Sequence, residues 1–227
     1  MKQPQTTKLA FIVKDNKIYE KEYKFDFFGG FALSQKQKTI DAFHKEISKD
    51  GILDILEISR KSKNQLGNAL SAFNLMITLD NNKYPLESVY QSSKVFNNNI
   101  QFIEVLNLSP LEAKRTIKER VEKDNLILTA FKCLGIDFPL FPKTLFFDYI
   151  YVVALIQNPN ISKEIVNYYC YTDVEFNHKK QFASQARACA IFKYLYDNDI
   201  LKETIEDINK FIQIYYEVII PYRLELL

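Results

Sequence analysis

The sequence predicts a predominantly helical α+β domain with a small sheet of short strands, and three observations carry that expectation. Two segments near the start alternate apolar and polar residues as paired strands do. From Tyr84 onward, stretches of helical length dominate. No repeat, low-complexity tract or linker interrupts the 227 residues, so one domain is expected. It divides into a strand pair over 1–30, a core over 31–200 and a C-terminal helix over 201–227.

Lys8 to Val13 and Lys17 to Phe27 read as strands joined by the turn Lys14-Asp15-Asn16-Lys17. Tyr19, Tyr23, Phe25 and Phe27 share one side of the second. Gly29-Gly30 breaks it, and Ser34 suits the N-cap of a helix through Ile40, Phe43 and Ile47. Ile52 to Ser59 and Ala72 to Leu79 read as short strands separated by a polar loop. Pro85 suits a first helical turn, and Ser109-Pro110-Leu111-Glu112 spells a capping box with proline at the first position. Pro139 and Pro142 precede an apolar helix from Thr144 to Gln157, and Asn158-Pro159-Asn160 ends it and starts a short one. Tyr171 to Asn177 reads as extended. Helices near Gln181 to Tyr196 and Ile200 to Ile220 complete the chain.

Apolar residues make up 47% of the chain, enough to bury a core without staples. The formal charge of +2 is low for a protein that holds nucleic acid by phosphate neutralisation alone. Cys133, Cys170 and Cys189 are scattered and form no CxxC pair, as expected of reduced, buried thiols in a cytoplasm. His44 and His178 are too few and too isolated to build a zinc site, so neither metal nor cofactor is expected. No segment reads as a signal peptide or a membrane span.

One helix carries a chemical pattern. At about 100° per residue, Glu87, Gln91 and Lys94 fall within a sector roughly 60° wide. Leu86, Val89 and Phe96 fall on another, which would face the core. Convergence alone fits a solvated face with a weak ion pair equally well.

The residues around this helix are more specific. Leu70-Ser71-Ala72-Phe73-Asn74-Leu75, followed by Pro85-x-Glu87-x-x-Tyr90-Gln91-x-x-Lys94-x-Phe96, resembles the paired signature of the NADAR superfamily. Ala72 departs from the usual order, and Ser88 stands where histidine is usual. Phe31 to Lys38, Leu56 to Ser62, Ser109 to Arg115, Tyr171 to Asn177 and Gln185 to Ala188 are similar to the DarT-associated NADAR antitoxins. After Phe96 that branch usually carries glycines, whereas this chain has Asn97-Asn98-Asn99, residues that tolerate left-handed backbone geometry.

The resemblance implies cleavage of a C–N glycosidic bond. The implied substrate is ADP-ribosylated guanine in DNA, with RNA or a free nucleotide as alternatives. The products are ADP-ribose and a restored base, and the partner is a DarT-type toxin. Such a bond breaks through an oxocarbenium-like ribose, which needs a carboxylate. On the resemblance Glu87 takes that role, with Lys94, Gln91 and Asp173 beside it. Ser59, Arg60, Lys61, Asn74, Glu175, Asn177, Gln185 and Arg187 are the implied substrate-binding residues. Bland alternatives stand beside several of them. Arg60 and Lys61 also fit solvated surface, and Arg187 also fits a structural pair with Asp173 or Glu175. Tyr168, Tyr169 and Tyr171 fit either base stacking or half-buried core. Two other functions remain open on the sequence: an N-glycosidase for a ribosylamino-pyrimidine phosphate, and an antitoxin that binds the toxin without chemistry.

Overall fold

The computed structural model describes residues 3–179 and 181–219. Strands β1 (Gln5–Lys14) and β2 (Lys17–Asp26) pair antiparallel over their whole length. Asp15 and Asn16 both take positive φ, 49° and 59°, the backbone that a two-residue hairpin turn requires. Helix α1 (Leu33–Ser48) is N-capped at Ala32, so Ser34 lies inside the first turn and is not the cap. Next come β3 (Ile55–Glu57) and α2 (Gln65–Ala69), capped by the Asn64 side chain. The expected strand over 52–59 is thus three residues long, and the expected polar loop holds a helical turn. The hairpin of β4 (Met76–Leu79) and β5 (Asn82–Pro85) leads into α3 (Leu86–Ser92), with Pro85 as its N-cap residue.

Helix α3 ends sooner than its spacing predicted. Ser92 and Ser93 turn their hydroxyls back onto the Val89 carbonyl, a bond that competes with continued helix. Lys94 therefore opens β6 (Lys94–Phe96), which turns through Asn97–Asn99 into β7 (Ile100–Gln101). Asn98 and Asn99 have φ of 60° and 58°, the left-handed geometry asparagine accommodates. Helix α4 (Pro110–Asp124) starts at the capping box of Ser109 and Glu112. It is followed by β8 (Leu128–Cys133) and β9 (Ile136–Phe138), a hairpin within the region expected to be helical. Then come α5 (Leu145–Gln157), α6 (Pro159–Ile165), β10 (Cys170–Thr172), α7 (Gln185–Asp197), α8 (Leu201–Glu206) and α9 (Ile208–Ile214). The single C-terminal helix expected there is broken at Asp207 and passes into a π turn over Tyr215–Ile219. Its expected last residues, 220–227, lie outside the described residues.

Helix takes 47% of the residues and strand 22%, an α+β fold weighted towards helix. Among the described residues the strands form three small sheets where one was expected, ordered β2-β1-β10-β3, β4-β5 and β7-β6-β8-β9. In the first, β1 meets β10 antiparallel and β10 meets β3 parallel. One face packs on α1 through Ala10, Ile12, Tyr23 and Phe25, with Phe25 stacked on Phe43 at 4.5 Å. Leu9, Phe11 and Val13 turn to the other face and the main core, where α5 and α7 lie. Leu145 to Val152 of α5 are all buried, so this helix has no polar side to show. No helix among the described residues is long and apolar enough to cross a membrane.

Candidate active site

A cavity of about 590 Å³ opens where these layers meet. Helix α3 supplies Glu87, Tyr90 and Gln91, β6 supplies Lys94, and α4 supplies Lys114. Asp173 and Glu175 come from the turn after β10, and Gln185 from the first turn of α7.

On the α3 wall the polar groups form a chain. Lys94 Nζ donates to Gln91 Oε1 at 2.6 Å, and Gln91 Nε2 donates to Glu87 Oε1 at 2.8 Å. Glu87 and Gln91 are buried, and the Lys114 ammonium lies 3.9 Å from Glu87 Oε1. Lys94 thus reaches Glu87 through Gln91, from a strand and not from the same helix. Burial pulls the Lys94 ammonium down to about 8, against the attraction of Glu87 and with the repulsion of Lys114. The Glu87 backbone is fixed by its N–H, which donates to the Ala72 carbonyl at 2.8 Å.

The opposite wall is built on Asp173. Its Oδ1 accepts the backbone amides of Glu175 and Phe176, and its Oδ2 accepts Gln185 Nε2 at 3.0 Å. The segment after Thr172 is therefore a turn closed by the Asp173 side chain and not an extended strand. Asp173 is buried in it while Glu175 is exposed. Burial pushes the Asp173 carboxyl up; the Gln185 and Glu175 donors and the nearby Lys8 ammonium oppose this, and the Glu175 charge adds to it.

Aromatic rings and cations line the rest. Arg60 stacks on Phe73 at 4.2 Å. Lys143 lies 4.2 Å from the Phe182 ring and 5.7 Å from that of Phe141. Phe141 and Phe182 are 66% and 47% exposed, so they face solvent at the cavity as well as lining it.

The structure brings Glu87, Gln91, Lys94, Asp173, Arg60, Glu175 and Gln185 to this one cavity. It does not bring Ser59, Lys61, Asn74, Asn177 or Arg187 there. Ser59 is buried and donates to Glu57 Oε1 at 2.8 Å. The Lys61 backbone amide bonds Ser59 Oγ, and Asn74 Nδ2 is held by the Asn68 carbonyl. Asn177 lines a separate polar hollow with Lys8 and His178. Arg187 is fully enclosed, and its guanidinium is bound to Asp148 Oδ2 at 2.7 Å. A group so enclosed and so paired is not presented to a diphosphate; its partner is Asp148, and neither Asp173 nor Glu175. Nor do the tyrosines reach the cavity. The Tyr171 hydroxyl is buried and donates to the Ile165 and Tyr168 carbonyls, while Lys193 lies over the exposed Tyr169 ring at 4.4 Å.

Sequence reasoning missed Lys114, Lys143 and the ring set Phe73, Phe141, Phe147 and Phe182. It also missed Glu57, a buried carboxylate behind Asp173. For Glu57 there was a signal. A charge inside the apolar run Ile55-Leu56-Glu57-Ile58 has no solvated side to occupy. For the rings there was none, because aromatic residues are equally abundant in the core.

No curated protein matches the chain in comparison. The family model described as DarT1-associated NADAR antitoxin matches residues 6–222, a span that includes every residue of the cavity wall. The chain belongs to the DarT1-associated NADAR antitoxin family.

Proposed function

We propose that this protein is a hydrolase that removes ADP-ribose from guanine bases in DNA, acting as antitoxin to a DarT-type DNA ADP-ribosyltransferase. One observation supports this most: Glu87, set between Gln91 and Lys114, faces the same cavity as Asp173, which lies in a different electrostatic setting. Two carboxyls so arranged suit a base and an acid for cleavage of a glycosidic bond.

In this account the bond between the anomeric carbon of the ADP-ribose and the guanine nitrogen breaks, and its electron pair leaves with the guanine, which stays in the DNA. Asp173 delivers a proton to the departing nitrogen. Glu87 stabilises the developing positive charge on that ribose and takes a proton from the water whose oxygen joins its anomeric carbon. Gln91 holds the Glu87 carboxylate in place, and Lys94 anchors Gln91. Arg60, Lys114 and Lys143 supply cations for the diphosphate, and the exposed rings Phe141 and Phe182 supply faces for bases. This rim favours a nucleic-acid substrate over a small ribosylamino-pyrimidine phosphate, which needs no stacking surface outside the cavity.

The test is a mass measurement on a single-stranded oligonucleotide carrying one ADP-ribosylated guanine. Incubation with the pure protein is expected to return the unmodified oligonucleotide and free ADP-ribose. Persistence of the modified strand, with cleavage of a ribosylamino-pyrimidine phosphate in its place, would overturn the proposal. Protection of toxin-expressing cells by a Glu87→Gln variant would point to neutralisation of the toxin by binding alone.

A further inference from the structure

Four neutral polar side chains line the cavity without being exposed at the surface: Ser71, Tyr90, Gln91 and Gln185. The two amides are committed to protein partners. Gln91 is bonded at one end to Lys94 and at the other to Glu87. Gln185 accepts the Ala72 N–H through Oε1, and donates through Nε2 to Asp173 Oδ2 and the Ile58 carbonyl. The two hydroxyls differ. Neither Ser71 Oγ nor the Tyr90 hydroxyl has a hydrogen-bond partner among the described residues, although Ser71 is buried and Tyr90 half-buried. Neither oxygen is sealed within protein, so both open to the cavity that their residues line.

A tyrosine hydroxyl drawn this far from bulk water usually finds a partner. That of Tyr90 cannot swing away to find one. Its ring packs against Phe131 at 5.6 Å, Phe146 at 6.0 Å and, edge to face, Phe147 at 5.3 Å. The Lys94 ammonium lies 5.1 Å from the same ring. Rotation of the ring about its own axis leaves the oxygen in place. These contacts occupy the ring, so Tyr90 offers the cavity a hydroxyl and not a stacking face. Burial, and after it the Glu87 charge, raises its titration above that of an ordinary tyrosine, so it stays a neutral donor.

Both residues are tied to Glu87. Tyr90 follows it by three residues, one turn along α3. Ser71 adjoins Ala72, whose carbonyl accepts the Glu87 N–H at 2.8 Å. A carboxylate that meets an anomeric carbon therefore has two uncommitted hydroxyls for neighbours. A hydroxyl donates one hydrogen bond and accepts two, as the hydroxyls of a sugar do. Phosphate oxygens only accept, and the cavity holds Arg60, Lys114 and Lys143 for them.

We propose that the hydroxyls of Tyr90 and Ser71 form a ribose subsite, hydrogen-bonding the hydroxyls of the sugar whose anomeric carbon meets Glu87. This rests on the reading of the cavity as the place where an ADP-ribosyl bond is cut.

The test is calorimetry of wild type, Tyr90→Phe and Ser71→Ala with two ligands, ADP-ribose and ADP, which lacks the distal ribose. A neutral hydrogen bond lost in each variant should weaken ADP-ribose binding about three- to tenfold. Affinity for ADP should be retained. The melting temperature of Tyr90→Phe should not fall, because the hydroxyl bonds nothing within the protein and every ring contact remains. Unchanged ADP-ribose affinity in either variant would overturn the proposal, and so would equal losses with both ligands, which would place the hydroxyls against the nucleotide or in the support of the fold. Absence of ADP-ribose binding by wild type would overturn it as well. Should wild type bind ADP-ribose but leave modified DNA intact, the hydrolase reading falls while the subsite stands. If Ser71→Ala does not fold, Tyr90→Phe decides alone.

Discussion

Gln91 Nε2 donates to Glu87 Oε1 at 2.8 Å, and this bond fixes which end of the amide meets the Lys94 ammonium. The amide thereby carries the influence of the lysine to a carboxylate that it does not touch. A hydrogen bond to a charged group is worth about 1.5–3 kcal/mol, roughly ten- to a hundredfold in rate if it acts in the transition state. Gln91→Leu is therefore expected to lower kcat/KM on ADP-ribosylated oligonucleotide by that factor with little change in melting temperature. Steady-state kinetics check this, and a variant within twofold of wild type would show that the bridge is idle.

Lys94 makes stability depend on pH. Its folded form titrates at about 8 instead of the ordinary 10.5, chiefly through burial. Between those values the unfolded chain binds a proton that the folded chain has lost, so the contribution of Lys94 to stability rises with pH through that window, by about 2–3 kcal/mol in all. Denaturant unfolding of wild type and Lys94→Met at about pH 7.5 and about pH 10.5 isolates it from other groups. The difference between the two proteins should change in favour of wild type at the higher pH. A constant difference would mean that the ammonium is not desolvated.

Arg187 and Asp148 form an enclosed ion pair that Tyr215 joins through its hydroxyl at 3.0 Å from Asp148 Oδ2. Removing one member of such a pair typically costs about 3–5 kcal/mol, because the other charge stays buried. Arg187→Met should lower the unfolding free energy by that order. At low temperature its affinity for ADP-ribose should equal that of wild type. Calorimetry measures both, and lost affinity at full stability would return Arg187 to the substrate.

How far the sequence could foretell this site depended on where each partner lay. Glu87 and Gln91 are i, i+4 neighbours on a real helix, so their spacing placed them side by side, though it did not tell a site from a solvated face. Lys94 converges on them for another reason. The serine hydroxyls at 92 and 93 end α3, and β6 carries the lysine back alongside it. Arg187 misled because a guanidinium fork matches the oxygens of the diphosphate that the resemblance implied. What sequence could not supply was its partner, 39 residues earlier. A lone Asp148 within the apolar run of α5 was the visible trace of that need. The strands β8 and β9 were missed because Leu128 to Phe138 is short and only half-buried, and its pairing with β6 is non-local.

The exposed rings at the cavity rim are expected to bind the strand and not the sugar. Stacking of a base on an aromatic ring contributes about 1–3 kcal/mol. Phe182→Ala should raise KM for a modified oligonucleotide about five- to fiftyfold and change kcat less than threefold. Affinity for free ADP-ribose, measured by calorimetry, should hold. An unchanged KM would remove the ring from the account, as would equal losses with both ligands.

The most direct test concerns Glu87. A carboxylate that stabilises ribose charge and takes a proton from water contributes about 10²–10⁴-fold. Single-turnover release of ADP-ribose from ADP-ribosylated guanine DNA should therefore be at least about a hundredfold slower in Glu87→Gln than in wild type, with oligonucleotide binding and melting temperature retained. Release by Glu87→Gln at the wild-type rate would contradict the account.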